Sequence, residues 1–234
     1  MAKENPTSAQ QVSADCEAII KALKDMGNPV NVAGMARFGI NPEGTLGVSI
    51  PALRKIAKSY KNNHALALAI WASGYHEARI LASMIDDPQL VTREQMDVWA
   101  NAFDSWDVCD QVCMNLFDKT PYAFEKAIEW SEREETFVKR AAFALMASIA
   151  FYDKQASNEY FEPFFQIIAR EAIDERNFVK KAVNWALRQI GKRNRALQSR
   201  AIEIARQISI LDSKAARWIA KDALRELTSK TLSS

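Results

Sequence analysis

Groups able to do chemistry are densest between Ser105 and Asp110, where Ser105, Trp106, Asp107, Cys109 and Asp110 follow closely. On a helix Trp106 and Asp110, spaced i,i+4, lie one above the other on a single face. Asp107 points about a quarter-turn away, and Ser105 is placed to cap the first turn. An aromatic ring beside a carboxylate suits a developing cation, because the ring face and the negative charge both stabilise it. The residues alone equally allow Trp106 in the core and Asp110 as the ion-pair partner of a neighbouring helix.

Later segments supply complementary groups. Arg140 follows Lys139 at the head of a strongly apolar stretch, where a guanidinium forks onto a phosphate or pairs with Glu134 or Glu135. Trp185 and Arg188 are spaced i,i+3, Lys180 and Lys181 precede them, and Lys192 and Arg193 follow. An aromatic flanked by cations stacks on sugar or base while the cations hold the backbone; ordinary core is the alternative for Trp185. Cys109 and Cys113 share a helix face without a third metal ligand, which suits small buried hydrophobes. His64 and His76 have no Cys or acid at ligand spacing. Trp71, Trp99, Trp130 and Trp218 sit in apolar surroundings and are assigned to the core.

These groups need a frame, and the pattern for one is helical. The chain has 234 residues with 48% hydrophobic and 26% charged, enough for a sizeable core. Five of its 7 glycines fall between Gly27 and Gly47, leaving no phosphate-binding Gly-rich loop and excluding P-loop and Rossmann sites. With 3 Cys and 2 His, neither a zinc module nor a disulfide framework is expected, and no cofactor or metal is called for. No apolar run spans a bilayer, and the N-terminus lacks a signal core, so a cytoplasmic monomer that does not engage membranes is expected. Residues 137–234 hold 18 Lys+Arg against 10 Asp+Glu, whereas the rest of the chain is acidic, which points one face at a polyanion.

Apolar residues recur at three- and four-residue steps, predicting helices near 12–26, 51–60, 64–73, 75–86, 92–103, 105–118, 121–131, 135–151, 159–171, 175–191, 193–208 and 212–229. Phe137, Val138, Lys139, Arg140 and Ala141 reappear as Phe178, Val179, Lys180, Lys181 and Ala182. Ala186, Leu187 and Arg188 return as Ala223, Leu224 and Arg225. Periods near 40 residues in a helical chain indicate HEAT-type pairs. The expectation is an all-α, HEAT-like solenoid with a concave basic face, residues 13–234 forming one domain behind a flexible lead over 1–12. Arg140 and Lys181 hold equivalent repeat positions, so a row of cations along one side is expected.

Taken with Gly47 to Lys55, the segments Ser105–Asp110, Phe137–Ala142 and Trp185–Arg188 make the chain resemble the DNA alkylation repair glycosylases built from HEAT-like repeats. The resemblance covers roughly residues 20–228. It implies a superhelix that clamps duplex DNA and hydrolyses the N-glycosidic bond of cationic N3- or N7-alkylated purines. It further implies Asp110 as the catalytic carboxylate, Trp106 and Trp185 as an aromatic cradle around the lesion's deoxyribose, and Arg140 as a phosphate ligand. Lys139, Lys180, Lys181, Arg188, Lys192 and Arg193 complete the expected DNA contacts. Phe38 stands where some relatives carry tyrosine, and Ser49 where a longer polar side chain can occur. The alternatives are a relative that binds DNA structures without cleaving them, and a scaffold that holds a protein partner.

Overall fold

The computed structural model describes residues 8–229, and every described element is helical: thirteen α-helices and two short 3-10 turns. They run α1 (Ala9–Asp25), α2 (Pro29–Ala36), α3 (Ile50–Ala57), α4 (His64–Ala72), α5 (His76–Ile85), α6 (Arg93–Asn101), α7 (Trp106–Asn115), α8 (Ala123–Ser131), α9 (Thr136–Tyr152), α10 (Glu162–Glu171), α11 (Asn177–Gly191), α12 (Arg195–Ser209) and α13 (Lys214–Ser229). Helix α1 begins within the span 1–12 expected as a lead. Ser8 Oγ accepts a bond from the Gln11 amide, and that cap starts α1 at Ala9. The remainder of that lead, 1–7, lies outside the described residues.

Helix α2 was not anticipated. Asn28 caps it by accepting from the Val30 and Asn31 amides, and Pro29 occupies a first-turn position where no amide is needed.

The chain packs as two compact units, one up to Met96 and one from Asp97 on. In the first, α1 packs on α4, and α5 on α3 and α4, around Leu23, Leu53, Leu66, Ile70 and Leu81. The buried Glu77 carboxylate fixes the preceding loop by accepting from the amides of Leu46 (2.8 Å), Gly47 (2.6 Å) and Val48 (3.2 Å). Gly47 has φ +80°, and a Cβ there would stand 2.3 Å from the Asn28 carbonyl oxygen, so only glycine fits this turn.

The second unit is layered. Helices α8, α10 and α12 form one layer; α7, α9, α11 and α13 form the other, each packing on the next. The repeat period reappears in the bonds between layers and neighbours. Partners 36 to 43 residues apart include Asn194 with Asn158, Asn184 with Asp222, Glu175 with Ser213, and Arg193 with the Ala150 carbonyl. The rings of Phe137 and Phe178, the first aromatics of the repeated segments, pack tilted against each other with centroids 5.4 Å apart. Contacts about one period apart thus link neighbouring repeats.

Candidate nucleic-acid site

Helix α7 begins at Trp106 and places Asp110 one turn later. Ser105 holds the N-cap position, but its hydroxyl makes no capping bond. Asp110 turns inward against α9, where Arg140, also the fifth residue of its helix, meets it. Arg140 Nε donates to Asp110 Oδ1 and Nη2 to Oδ2, both at 2.8 Å. Its Nη1 donates to the Phe178 carbonyl oxygen at 2.7 Å, extending the link to α11. The guanidinium carbon stands 5.8 Å from the centre of the half-buried Trp106 ring. Cys109 and Cys113 are buried and direct their thiols at the Phe137 and Ala141 carbonyls of α9, so they pin α7 to α9.

Asp110 is 9% exposed and Arg140 6%, so this is a buried fork-to-fork pair. Burial pushes the Asp110 carboxyl above its ordinary range, Arg140 pulls it back, and Asp107 adds a smaller upward push. Asp107 therefore lies within electrostatic reach of Asp110, its neighbour at i,i+3. Each carboxylate oxygen offers about two acceptor directions, so a bidentate arginine leaves about half of them unused. The pair thus fixes the orientation of Asp110 while leaving it acceptor capacity.

Arg140 is consequently not a surface cation, nor does it pair with Glu134 or Glu135. The expected row through Arg140 and Lys181 is interrupted because Arg140 faces the Asp110 carboxylate whereas Lys181 faces solvent. Most other proposed contacts also have protein partners. Lys139 bonds Glu171 at 2.7 Å, Arg188 bonds Glu226 at 2.5 Å, and Lys192 bonds the same carboxylate at 3.0 Å. Arg193 donates to the carbonyls of Ala150, Asp153 and Ala156, closing the turn after α9. Lys180 stands over the Trp218 ring at 5.5 Å. Lys181 is exposed and makes no ion pair among the described residues.

Trp185 is half-buried on α11, and no ring pairing, hydrogen bond or cation–π contact joins it to the trio of Trp106, Asp110 and Arg140. Trp99 and Trp130 are fully buried, as the core assignment required, and Trp71 nearly so. Trp218 is not: it is 39% exposed, because Ala215, Ala216, Ile219 and Ala220 carry the packing on the other side of α13. His64 bonds the buried Asp86 carboxylate at 2.7 Å, a structural contact. Among the described residues no cluster of three or more His, Cys, Asp or Glu could hold a metal, and no helix is long and apolar enough to cross a membrane.

Residues 19–227 match the family described as DNA alkylation repair enzyme. The chain belongs to that family. No curated protein matches it significantly. A solved structure described as a new family of proteins related to the HEAT-like repeat DNA glycosylases with affinity for branched DNA structures is similar to this DNA alkylation repair family member. It is 21% identical, with TM-score 0.76, over 90% of this chain and 94% of that one. The fold is therefore the HEAT-like repeat fold, with the Asp110–Arg140 pair inside its second unit.

Proposed function

We propose that this protein is a DNA repair glycosylase that hydrolyses the N-glycosidic bond of cationic N3- or N7-alkylated purines in duplex DNA. The observation that carries this is the trio of Trp106, Asp110 and Arg140: a carboxylate held in orientation by a bidentate arginine, beside an incompletely buried indole. Alkylation makes the purine a good leaving group, so no strong general acid is required. As the bond from C1′ to the purine nitrogen breaks, its electron pair neutralises the base and the sugar becomes oxocarbenium-like. Asp110 stabilises that charge and orients the water that adds to C1′, accepting its proton or passing it to solvent. Trp106 and Trp185 flank the deoxyribose.

Arg140 is a positioning residue in this scheme, in place of a phosphate ligand. Phosphate contact falls to Lys180, Lys181 and whichever of Lys139, Arg188, Lys192 and Arg193 exchange their carboxylates or carbonyls for DNA. Family membership and the repeat fold support DNA as the partner.

A second reading, binding of branched DNA without cleavage, is favoured by one feature: Asp110 is nearly buried and both of its oxygens already accept from Arg140. Incubation with methylated duplex DNA and chromatography of released bases separates the two. Release of 7-methylguanine or 3-methyladenine supports the glycosylase, and binding without release supports the second reading.

A further inference from the structure

The outer surfaces of α11 and α13 carry the same residue pattern. On α11 and its C-cap, Lys181, Trp185, Arg188 and Lys192 stand at i, i+4, i+7 and i+11; on α13, Lys214, Trp218, Lys221 and Arg225 repeat that order and spacing. Those offsets run along one stripe of a helix. The α13 copy is the more open of the two: Lys214, Trp218, Lys221 and Arg225 are all exposed. Arg225 pairs with Asp222, whereas Lys214 and Lys221 make no ion pair among the described residues. Lys180 of α11 stands over the Trp218 ring at 5.5 Å, adding a further cation beside the indole.

We infer that the α13 stripe is a second nucleic-acid platform, on which Trp218 stacks against an unpaired nucleobase while Lys180, Lys181, Lys214 and Lys221 hold the flanking phosphates. The inference rests on the DNA-binding reading above. Cations without carboxylate partners select a polyanion, and the exposed indole within them selects a π-face. A blunt duplex supplies phosphates but covers both faces of every internal base, leaving Trp218 only the two terminal pairs. An unpaired strand adjoining a duplex supplies both groups.

The two indoles serve different nucleotides. Asn184 bonds Asp222 and Arg188 bonds Glu226, which levels α13 against α11 at an offset of 38 residues. Trp218 therefore lies level with Lys180, five residues before Trp185. At 1.5 Å per residue and 8–10 Å between axes, the two tryptophans leave their helices roughly 11 Å apart, so each stands at its own position along a strand.

The test is fluorescence anisotropy with a blunt duplex and with the same duplex bearing a single-stranded oligothymidine tail. The wild-type protein binds the tailed DNA more tightly. Trp218→Ala lowers that preference by about 5- to 150-fold, the usual effect of losing one base-stacking aromatic, and leaves blunt-duplex affinity unchanged. Trp218→Phe restores most of the preference, and both variants are assayed at a temperature where circular dichroism shows them folded. A wild-type protein that binds neither DNA refutes the DNA reading and this inference together. One that binds both equally, or whose preference survives Trp218→Ala, refutes the platform alone.

Discussion

Replacing Arg140 by methionine tests how the site is held together. The substitution roughly keeps the length of the side chain but removes the cation, leaving the buried Asp110 carboxylate without its partner. Breaking a buried ion pair from one side typically costs about 3–5 kcal/mol. In a chain of this size about 1 kcal/mol corresponds to roughly 2–4 °C, so melting falls by about 6–20 °C. Asp110→Asn acts in the same direction, because the Arg140 guanidinium then lacks a counter-charge. The double variant removes both charges and melts above Arg140→Met, giving a coupling of about 0.5–3 kcal/mol. The loss in Arg140→Met also depends on pH. Burial already holds the folded Asp110 carboxyl above its ordinary value, and without Arg140 nothing comparable pulls it down. Its ionised form is then disfavoured in the folded state, so the deficit is small at acid pH and grows as pH rises through the folded pKa. Thermal melts followed by circular dichroism across pH, for wild type, both single variants and the double, check each statement. Additive effects of the two substitutions, or a deficit in Arg140→Met that is the same at acid and neutral pH, would refute the reasoning.

Three further outcomes are expected. Asp118, bonded at 2.6 Å by the Ser148 hydroxyl, is pushed up by burial to about 6; ionising it disfavours the fold, so its contribution to stability falls between about pH 4 and 6, and Asp118→Asn flattens that part of the melting-temperature profile. With Lys180, Lys181, Lys214 and Lys221 each holding one phosphate of tailed DNA, as inferred above, their share of the slope of log affinity against log salt is near −4 by titration, and each Lys→Ala reduces the slope by about one. Gly47→Ala forces a Cβ toward the Asn28 carbonyl at φ +80° and lowers stability by more than about 1–3 kcal/mol in a urea melt.

The helices were readable from apolar periodicity because each buries one stripe, and the repeat because Phe137 and Phe178 pack together in space. Helix α2 escaped notice among the early glycines, although Asn28 followed by Pro29 is a cap signal. The partner of Asp110 was not readable. Arg140 is 30 residues distant in sequence, and Glu134 and Glu135 offered a nearer but geometrically irrelevant choice. Arg193 looked like a phosphate ligand because composition does not reveal the three carbonyls it satisfies. Trp218 was assigned to the core from its alanine and isoleucine neighbours. The i, i+4, i+7, i+11 spacing of Lys214, Trp218, Lys221 and Arg225 carried the opposite signal, since helical neighbours in sequence face different directions.

Single-turnover release of 7-methylguanine from duplex DNA tests the proposed catalysis most directly. It should be run with wild type and Asp110→Asn at a temperature where circular dichroism shows both folded. The wild type releases the base, and Asp110→Asn releases it about 10²–10³-fold more slowly while still binding the DNA. No release by the folded, DNA-binding wild type, or near-normal release by folded Asp110→Asn, contradicts the assignment of Asp110 as the catalytic carboxylate.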